Sequence, residues 1–135
     1  MREIQVKTPS RSVIIDISDQ VQREISREGF RNGLCHIFVP HTTAGITINE
    51  NADPSVKTDM INILNNLVPY SLDYEHLEGN SDSHVKASMM GFSVTIAVHQ
   101  GSLNLGQWQG IQFCEFDGPR TRQVHLKIIA SPPGA

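Results

Sequence analysis

Three histidines in polar stretches of the chain, His41, His76 and His84, are the first candidates for chemistry. His76 and His84 bracket a segment in which three further side chains can bind a metal, a proton or an anion. Catalytic zinc sites usually take three protein ligands and leave one position for water or substrate. The three histidines could supply such a set, although their spacing matches no known zinc motif. A solvated surface loop is the alternative interpretation.

A second group of candidates surrounds a predicted strand at 111–117 and the turn that follows it. Glu115 continues the apolar face of this strand, where a charged side chain either opens into a pocket or pairs with a buried cation. Arg120 and Arg122 lie just beyond the turn. In the functional interpretation, Arg120 binds a phosphate or carboxylate and Glu115 transfers a proton. In the structural interpretation, these residues form the salt-bridged end of a hairpin.

The segment 101–110 contains three glycines and the only tryptophan, Trp108. Its spacing fits neither a P-loop nor a dinucleotide-binding fingerprint, which excludes those two nucleotide-binding motifs. Trp108, followed by Gln109, could form one wall of a pocket or lie in the core.

Three helical segments are predicted around these stretches. One runs from Ser18 to about Glu28 and is followed by a glycine, a common helix stop. The second begins at Asp53-Pro54, where a capping carboxylate precedes proline, and its apolar residues recur at helical spacing until Pro69. A polar loop is expected over 70–83, and two helical turns over 84–90.

Seven strands are predicted from alternating or continuous apolar residues, at 3–7, 13–17, 34–39, 46–50, 93–99, 111–117 and 122–129. The first two should pair as a hairpin, and a turn at 117–119 should join the last two. The order is neither strictly βαβ nor all-β. It predicts one α+β domain over residues 1–135, with mainly antiparallel β-sheets of about seven strands and two or three helices. The tail, 131–135, is expected to fray.

Two strands carry histidines that we interpret as structural. His36 shares a strand face with Leu34 and Phe38, which favours a hydrogen-bonded histidine of a core or an interface over a metal ligand. The last strand alternates between an apolar face and a polar face that contains His125. Such a polar face is either solvated or packed against another copy of the chain.

Composition limits the partners. The net charge of -3 and the pI of about 6.0 provide no general attraction for nucleic acid or anionic membranes. No apolar stretch approaches the roughly 20 residues that span a bilayer. The two cysteines lie in apolar strands, as buried free thiols usually do, and the N-terminus has no export-signal pattern. We therefore expect a cytoplasmic protein.

Three motifs occur in order along almost the whole chain. Residues 41–54 read His-Thr-Thr-Ala-Gly-Ile-Thr-Ile-Asn-Glu-Asn-Ala-Asp-Pro. His-Leu-Glu-Gly follows at 76–79, leading to His84, and Leu-Gly-Gln-Trp-Gln-Gly occupies 105–110 ahead of Glu115. With these motifs the sequence resembles the YjbQ family. It departs from the family pattern at Gln107 and Ala97, where threonine and proline are more usual.

The resemblance implies a compact α+β fold, a homotrimer with sheets packed about a threefold axis, and a histidine cluster that binds a metal or an anion. It assigns His41, His76 and His84 to that cluster, and we expect zinc there, or magnesium if the chemistry involves pyrophosphate. Glu115 and Arg120 remain the candidate catalytic residues. The candidate substrate-binding residues from the matching motifs are Glu50, Asn51, Asp53, Trp108 and Gln109.

Two functions follow from the resemblance. One is a metal-dependent enzyme acting on small molecules, such as a weak thiamine-phosphate synthase, a transferase that releases pyrophosphate. The other is a trimeric, non-catalytic protein that binds a metal or a phosphorylated metabolite.

Overall fold

The computed structural model describes residues 1–132, so 133–135 of the tail expected to fray lie outside it. The described chain forms eight strands and three helices. In chain order these are β1 (Arg2–Thr8), β2 (Val13–Asp16), α1 (Ser18–Glu28), β3 (Gly33–Phe38), β4 (Ala44–Glu50), α2 (Pro54–Leu67), α3 (Ser81–Met90), β5 (Ser93–His99), β6 (Ser102–Leu103), β7 (Gln109–Glu115) and β8 (Arg120–Ala130).

The strands form two sheets in which every neighbouring pair is antiparallel. The larger sheet has the order β1-β8-β3-β5-β6, and the smaller has the order β2-β7-β4. This confirms the predicted α+β fold with mainly antiparallel sheets. The seven predicted strands are all present, and the eighth is the two-residue β6.

The main core lies where the two sheets and α1 meet. The larger sheet contributes inward-facing aliphatic residues such as Ile37 and Leu126, and the smaller sheet contributes Phe113, all almost fully buried. Val21 and Ile25, four residues apart on α1, are completely buried and join this core. Alternation along each strand places every second side chain inside, which is why the sheet faces were predictable.

A second, smaller core lies on the other face of β2 and β7, under α2 and α3. Cys114 and Phe116 pack there with Leu64 of α2 and Ala87 of α3. Asp53 caps α2 as predicted, since its carboxylate accepts the backbone N–H of Ser55 at 2.9 Å. Within the described residues, no helix is long and apolar enough to cross a membrane.

The predicted pairing of the first two strands as a hairpin is wrong. β1 pairs with β8 and β2 pairs with β7, so the first two strands belong to different sheets. β7 and β8 are likewise in different sheets, and their connection carries the chain from one sheet to the other. Strands adjacent in sequence are neighbours in space only about two-thirds of the time. An apolar alternation identifies a strand's inner face without identifying its partner.

Two local predictions also need correction. The third helix begins at Ser81, three residues before the predicted start at 84, so the end of the polar loop is helical. His36 does not lie in the core, because Leu34 and Phe38 on its face are 44% and 42% exposed and the intervening residues are buried. Its Nδ1 lies 2.8 Å from Thr95 Oγ1, so it does form the expected hydrogen bond.

Candidate functional site

All three histidines line one open cleft of about 440 Å³. The cleft lies at one end of the two sheets, where β3 and β7 finish and β4 and β8 begin, beside the N-terminus of α3. We call it the histidine cleft. Its lining residues are Pro40, His41, Thr42, Thr43, His76, Glu78, Asn80, His84, Asp117, Arg120 and Arg122.

Arg122 forms the base of the cleft and is held by a buried ion pair. Its Nε donates to Glu115 Oε1 at 2.8 Å, and its Nη2 donates to Glu115 Oε2 at 2.5 Å and to Thr43 Oγ1 at 2.8 Å. Among residues 1–132, Nη1 has no hydrogen-bond partner. It is not one of the buried unpaired atoms, so solvent reaches it. Two N–H groups of a fixed guanidinium are therefore free to bind a ligand.

Glu115 lies behind Arg122 and does not line the cleft. It is completely buried and also accepts hydrogen bonds from Thr8 Oγ1 at 2.7 Å and the Asp117 backbone N–H at 3.1 Å. Burial alone would raise the pKa of Glu115, but the hydrogen bonds from Arg122, Thr8 and Asp117 outweigh it and hold the pKa below its usual value. Of the two interpretations of Glu115, the structure shows the pairing with a buried cation, and the carboxylate holds Arg122 in place.

The turn beside Glu115 depends on a glycine because of space. A Cβ added at Gly118 would lie 2.3 Å from the carbonyl oxygen of Ser10 and 2.9 Å from Glu115 Cγ. A larger residue here would push against the carboxylate that holds Arg122.

Arg120 lies on the rim of the cleft. Its Nε donates to the Asp117 carbonyl at 2.7 Å and its Nη2 donates to the Asp117 carboxylate at 2.9 Å. Asn80 Nδ2 donates to the same carboxylate at 2.9 Å, which ties the rim to the start of α3. Arg120 is half-exposed, so it can reorient toward a bound anion more readily than Arg122.

His76 and His84 form a pair on the opposite wall, with their ring centroids 5.5 Å apart and their planes nearly perpendicular. Glu78 Oε2 lies 3.9 Å from His76 Nε2. His84 is held by α3, whereas His76 and Glu78 belong to the loop before it. Fixing one imidazole on a helix leaves the loop to determine how closely the second approaches.

His41 occupies the third position and has a different hydrogen bond. Its Nε2 accepts the backbone N–H of Gln123 at 3.0 Å. Burial lowers the pKa of His41, and the positive charge of Arg122 lowers it further. The ring is therefore expected to be neutral at pH 7.

The three histidines share one cleft but do not fit a metal site as they stand. In residues 1–132, no group of three or more histidine, cysteine, aspartate or glutamate side chains is arranged to hold a metal ion. A histidine that binds a metal normally donates its other ring N–H to an acceptor. His41 instead accepts a hydrogen bond. The remaining potential ligands for a cation are His76, His84 and Glu78.

The candidate substrate-binding residues lie at the opposite end of the smaller sheet. Ala44 pairs with Glu115 at the cleft end of β4 and β7, and Glu50 pairs with Gln109 at the other end. Six residues of extended strand separate these pairs by about 20 Å. Within one chain, the motif residues Glu50, Asn51, Asp53, Trp108 and Gln109 therefore do not join the histidine cleft.

These far-end residues are largely occupied by contacts with their own neighbours. Asn51 donates to Asp16 Oδ2 at 2.8 Å and accepts from Lys57 Nζ at 3.2 Å, and Asp53 caps α2. A Cβ added at Gly110 would lie 2.7 Å from the Asn51 side chain. Trp108 is 60% exposed rather than a core residue.

A buried charge network on α3 was not predicted from the sequence. Arg11 donates to both Asp82 oxygens, at 3.2 and 3.1 Å, and Lys86 Nζ donates to Asp82 at 2.9 Å. Asp82 and Lys86 are almost fully buried. Burial would raise the pKa of Asp82, but the hydrogen bonds from Arg11 and Lys86 lower it below its usual value. The i, i+4 spacing of Asp82 and Lys86 was the available signal, once the helix was extended to Ser81.

A shallow apolar hollow of about 300 Å³ adjoins the cleft and shares Pro40, His41 and Thr42 with it. Its other lining residues are Phe38, Val39 and Phe92. A ligand with a charged group in the cleft could therefore place an apolar group here.

Known proteins resemble this chain over nearly its whole length. Residues 2–131 match the family described as UPF0047 protein YjbQ-like. A UPF0047 protein of Methanocaldococcus jannaschii is 54% identical over 93% of this chain and 91% of its own. YugU of Bacillus subtilis is 46% identical over 96% of this chain and 98% of its own.

A solved structure agrees with these relatives. The crystal structure of an uncharacterised conserved protein from Clostridium acetobutylicum, described as of the YjbQ/UPF0047 family, has 50% sequence identity. It covers 96% of this chain and 100% of its own, with a TM-score of 0.93. The sequence match and the shared fold together show that this chain belongs to the YjbQ-like UPF0047 family.

Proposed function

We propose that the protein binds a phosphorylated small molecule in the histidine cleft, where Arg122 and Arg120 contact the phosphate oxygens. This proposal depends mainly on Arg122. Its side chain is nearly buried and held by Glu115 and Thr43, while its Nη1 remains free. A preorganised guanidinium loses little conformational entropy on binding an anion, and its planar N–H groups match phosphate geometry.

The position of the cleft supports the same proposal. The N-terminus of α3 lies beside it, with Asn80 as the cap residue and part of the lining. Backbone N–H groups at a helix N-terminus favour anions. The adjoining hollow, with Phe38 and Phe92, suits an apolar portion of the ligand. A phosphate ester with a compact apolar group fits both surfaces.

Binding of inorganic pyrophosphate, measured by isothermal titration calorimetry, tests this function. Arg120→Ala should weaken binding by about tenfold to a hundredfold, the loss expected for a hydrogen bond to a charged group. Arg23→Ala, at an exposed arginine of α1, is the matched control and should bind as the wild type does. Equal affinities for wild type and Arg120→Ala would contradict the proposal.

A divalent cation remains part of the proposal, with zinc preferred and magnesium as the alternative. His76, His84 and Glu78 are the donors that it would use, and no step of the proposal depends on it. Repeating the titration with added zinc, then with added magnesium, tests whether either cation changes pyrophosphate affinity.

A transferase that releases pyrophosphate, such as a thiamine-phosphate synthase, is the second candidate function. The pair His76–His84 favours it, because histidine commonly transfers protons near neutral pH and these rings face the same cleft as the arginines. Turnover by the wild type that disappears in His84→Ala would support an enzyme. Binding without turnover would support a binding protein.

We also propose that the protein is a cytoplasmic homotrimer. The outer face of the larger sheet exposes Leu34, Phe38 and Ile129, and Leu34 and Ile129 are paired across β3 and β8. Packing copies of the chain would bury this surface. Two free, buried thiols suit a reducing compartment. Light scattering should give three times the 15.0 kDa chain mass, and a value near 15.0 kDa would exclude the trimer.

A further inference from the structure

His41 differs from the other two histidines of the cleft because one of its ring nitrogens accepts a hydrogen bond from a backbone N–H. The N–H of Gln123 donates to His41 Nε2 at 3.0 Å. A backbone amide can only donate, so Nε2 carries no proton while this bond exists. The neutral ring must therefore carry its proton on Nδ1.

This hydrogen bond conflicts with metal binding by His41. A cation at Nε2 would displace the Gln123 N–H and leave that amide without its acceptor. A cation at Nδ1 would require the ring to lose its only remaining proton. Metal-bound histidines show the reverse pattern, in which the second nitrogen donates to a carbonyl or carboxylate.

The Nδ1 proton of His41 is available to a ligand. Among residues 1–132, the buried side-chain polar atoms without a partner are Asn80 Oδ1 and Gln112 Oε1. His41 Nδ1 is not one of them, and no acceptor within residues 1–132 bonds to its proton. The Nδ1 atom is therefore accessible to solvent. His41 itself lines both the cleft and the apolar hollow. The accessible N–H therefore belongs to a residue that both cavities share.

We propose that His41 is a neutral hydrogen-bond donor to the bound phosphate through Nδ1, and that it is not a metal ligand. This proposal rests on the proposed function, since it names a further contact of the same site. Burial and the charge of Arg122 both disfavour the imidazolium. An anion held by Arg122 would then receive one more hydrogen bond from a neutral group, which leaves His76 and His84 as the imidazoles available to a cation.

Nuclear magnetic resonance of the ring nitrogens provides the first test, in metal-free protein at pH 7.5. We expect the His41 ring to show the tautomer protonated at Nδ1, and to keep that pattern after zinc is added. The tautomer protonated at Nε2, or a His41 spectrum that changes to a metal-bound pattern with zinc, would overturn the proposal. This readout does not depend on whether the protein binds phosphate.

Two substitutions distinguish the contributions of the two His41 ring nitrogens to pyrophosphate affinity. His41→Asn keeps an amide donor near the Nδ1 position. His41→Gln places its amide near the Nε2 position, where it can accept the Gln123 N–H, and has no donor at the Nδ1 position. We expect wild-type-like affinity in His41→Asn and a loss of about tenfold to a hundredfold in His41→Gln. His99→Gln, at an exposed histidine at the far end of β5, is the control and should not change affinity.

The outcomes distinguish the proposal from the function on which it rests. A wild type that does not bind pyrophosphate overturns the proposed function and the phosphate contact together. A wild type that binds pyrophosphate while His41→Gln keeps full affinity overturns the role of His41 alone. If both variants lose affinity equally, their thermal unfolding distinguishes two explanations. Native-like stability of both variants overturns the Nδ1 contact. Reduced stability of His41→Asn alone explains its loss by misfolding, and the loss in His41→Gln then supports the contact.

Discussion

Both ends of the smaller sheet carry polar sequence motifs, but the two ends differ in how many side-chain donors and acceptors remain unpaired. At the cleft end, Arg122 has an unused Nη1 beside an open cavity. At the far end, Asn51 is bonded to both Asp16 and Lys57. Motif density alone therefore does not identify a site. A polar cluster can bind a ligand only where some donors or acceptors remain unpaired and accessible.

The largest expected change in stability comes from a substitution at the cleft end. Arg122→Ala should lower the free energy of unfolding by about 3–5 kcal/mol, because it leaves the Glu115 carboxylate buried without its partner. Chemical denaturation measures this change. Arg120→Ala, which breaks a half-exposed ion pair, should lower the free energy by no more than about 1 kcal/mol. Similar losses in the two variants would contradict the difference that we assign to burial.

A substitution at the far end tests whether the two regions are independent. Asn51→Ala should lower the free energy of unfolding by about 1–3 kcal/mol, since Asp16 and Lys57 lose a hydrogen-bond partner in a half-buried network. Pyrophosphate affinity should stay at the wild-type value. A reduced affinity in a folded Asn51→Ala protein would place the far-end residues in the site, most simply through contact with a neighbouring copy.

Acid should weaken the cleft end. The folded-state pKa values of Glu115 and Asp82 are below their usual values, so these groups stabilise the native state above the unfolded pKa of about 4. That contribution is lost as the pH falls through the lower folded pKa. Unfolding measured from pH 6 to pH 2 should show a loss that is smaller in Glu115→Gln, which has already lost the charge. An identical pH dependence in both proteins would contradict this assignment.

The smallest effect is expected at Trp108. Because its side chain is 60% exposed, Trp108→Ala should change the free energy of unfolding by no more than about 0.5 kcal/mol and leave pyrophosphate affinity unchanged. Denaturation and calorimetry on the same protein check both statements. A large loss of affinity would show that Trp108 contacts the ligand, as the sequence motif predicted.

Local patterns in the amino-acid sequence were sufficient to predict the helices, the strands and the inner face of each. The alternation of Ile4 and Val6, the Asp53-Pro54 helix start and the spacing of Val21 and Ile25 are local signals, and local physics decides them. The same polar stretches also identified most of the residues around the cleft. The histidines and Arg120 were identifiable because reactive side chains outside apolar periodicity stand out in a chain of this composition.

The contacts between distant residues, in contrast, depend on the tertiary structure. Glu115 of β7 is bonded to Arg122 of β8 although the two strands lie in different sheets, a placement that strand alternation does not specify. The far-end motif lies about 20 Å from the cleft because β4 and β7 pair along their whole length. The proton position on His41 depends on one backbone amide from β8, 82 residues away in sequence. Long-range pairing determines which polar groups are satisfied, and the unsatisfied groups define the candidate site.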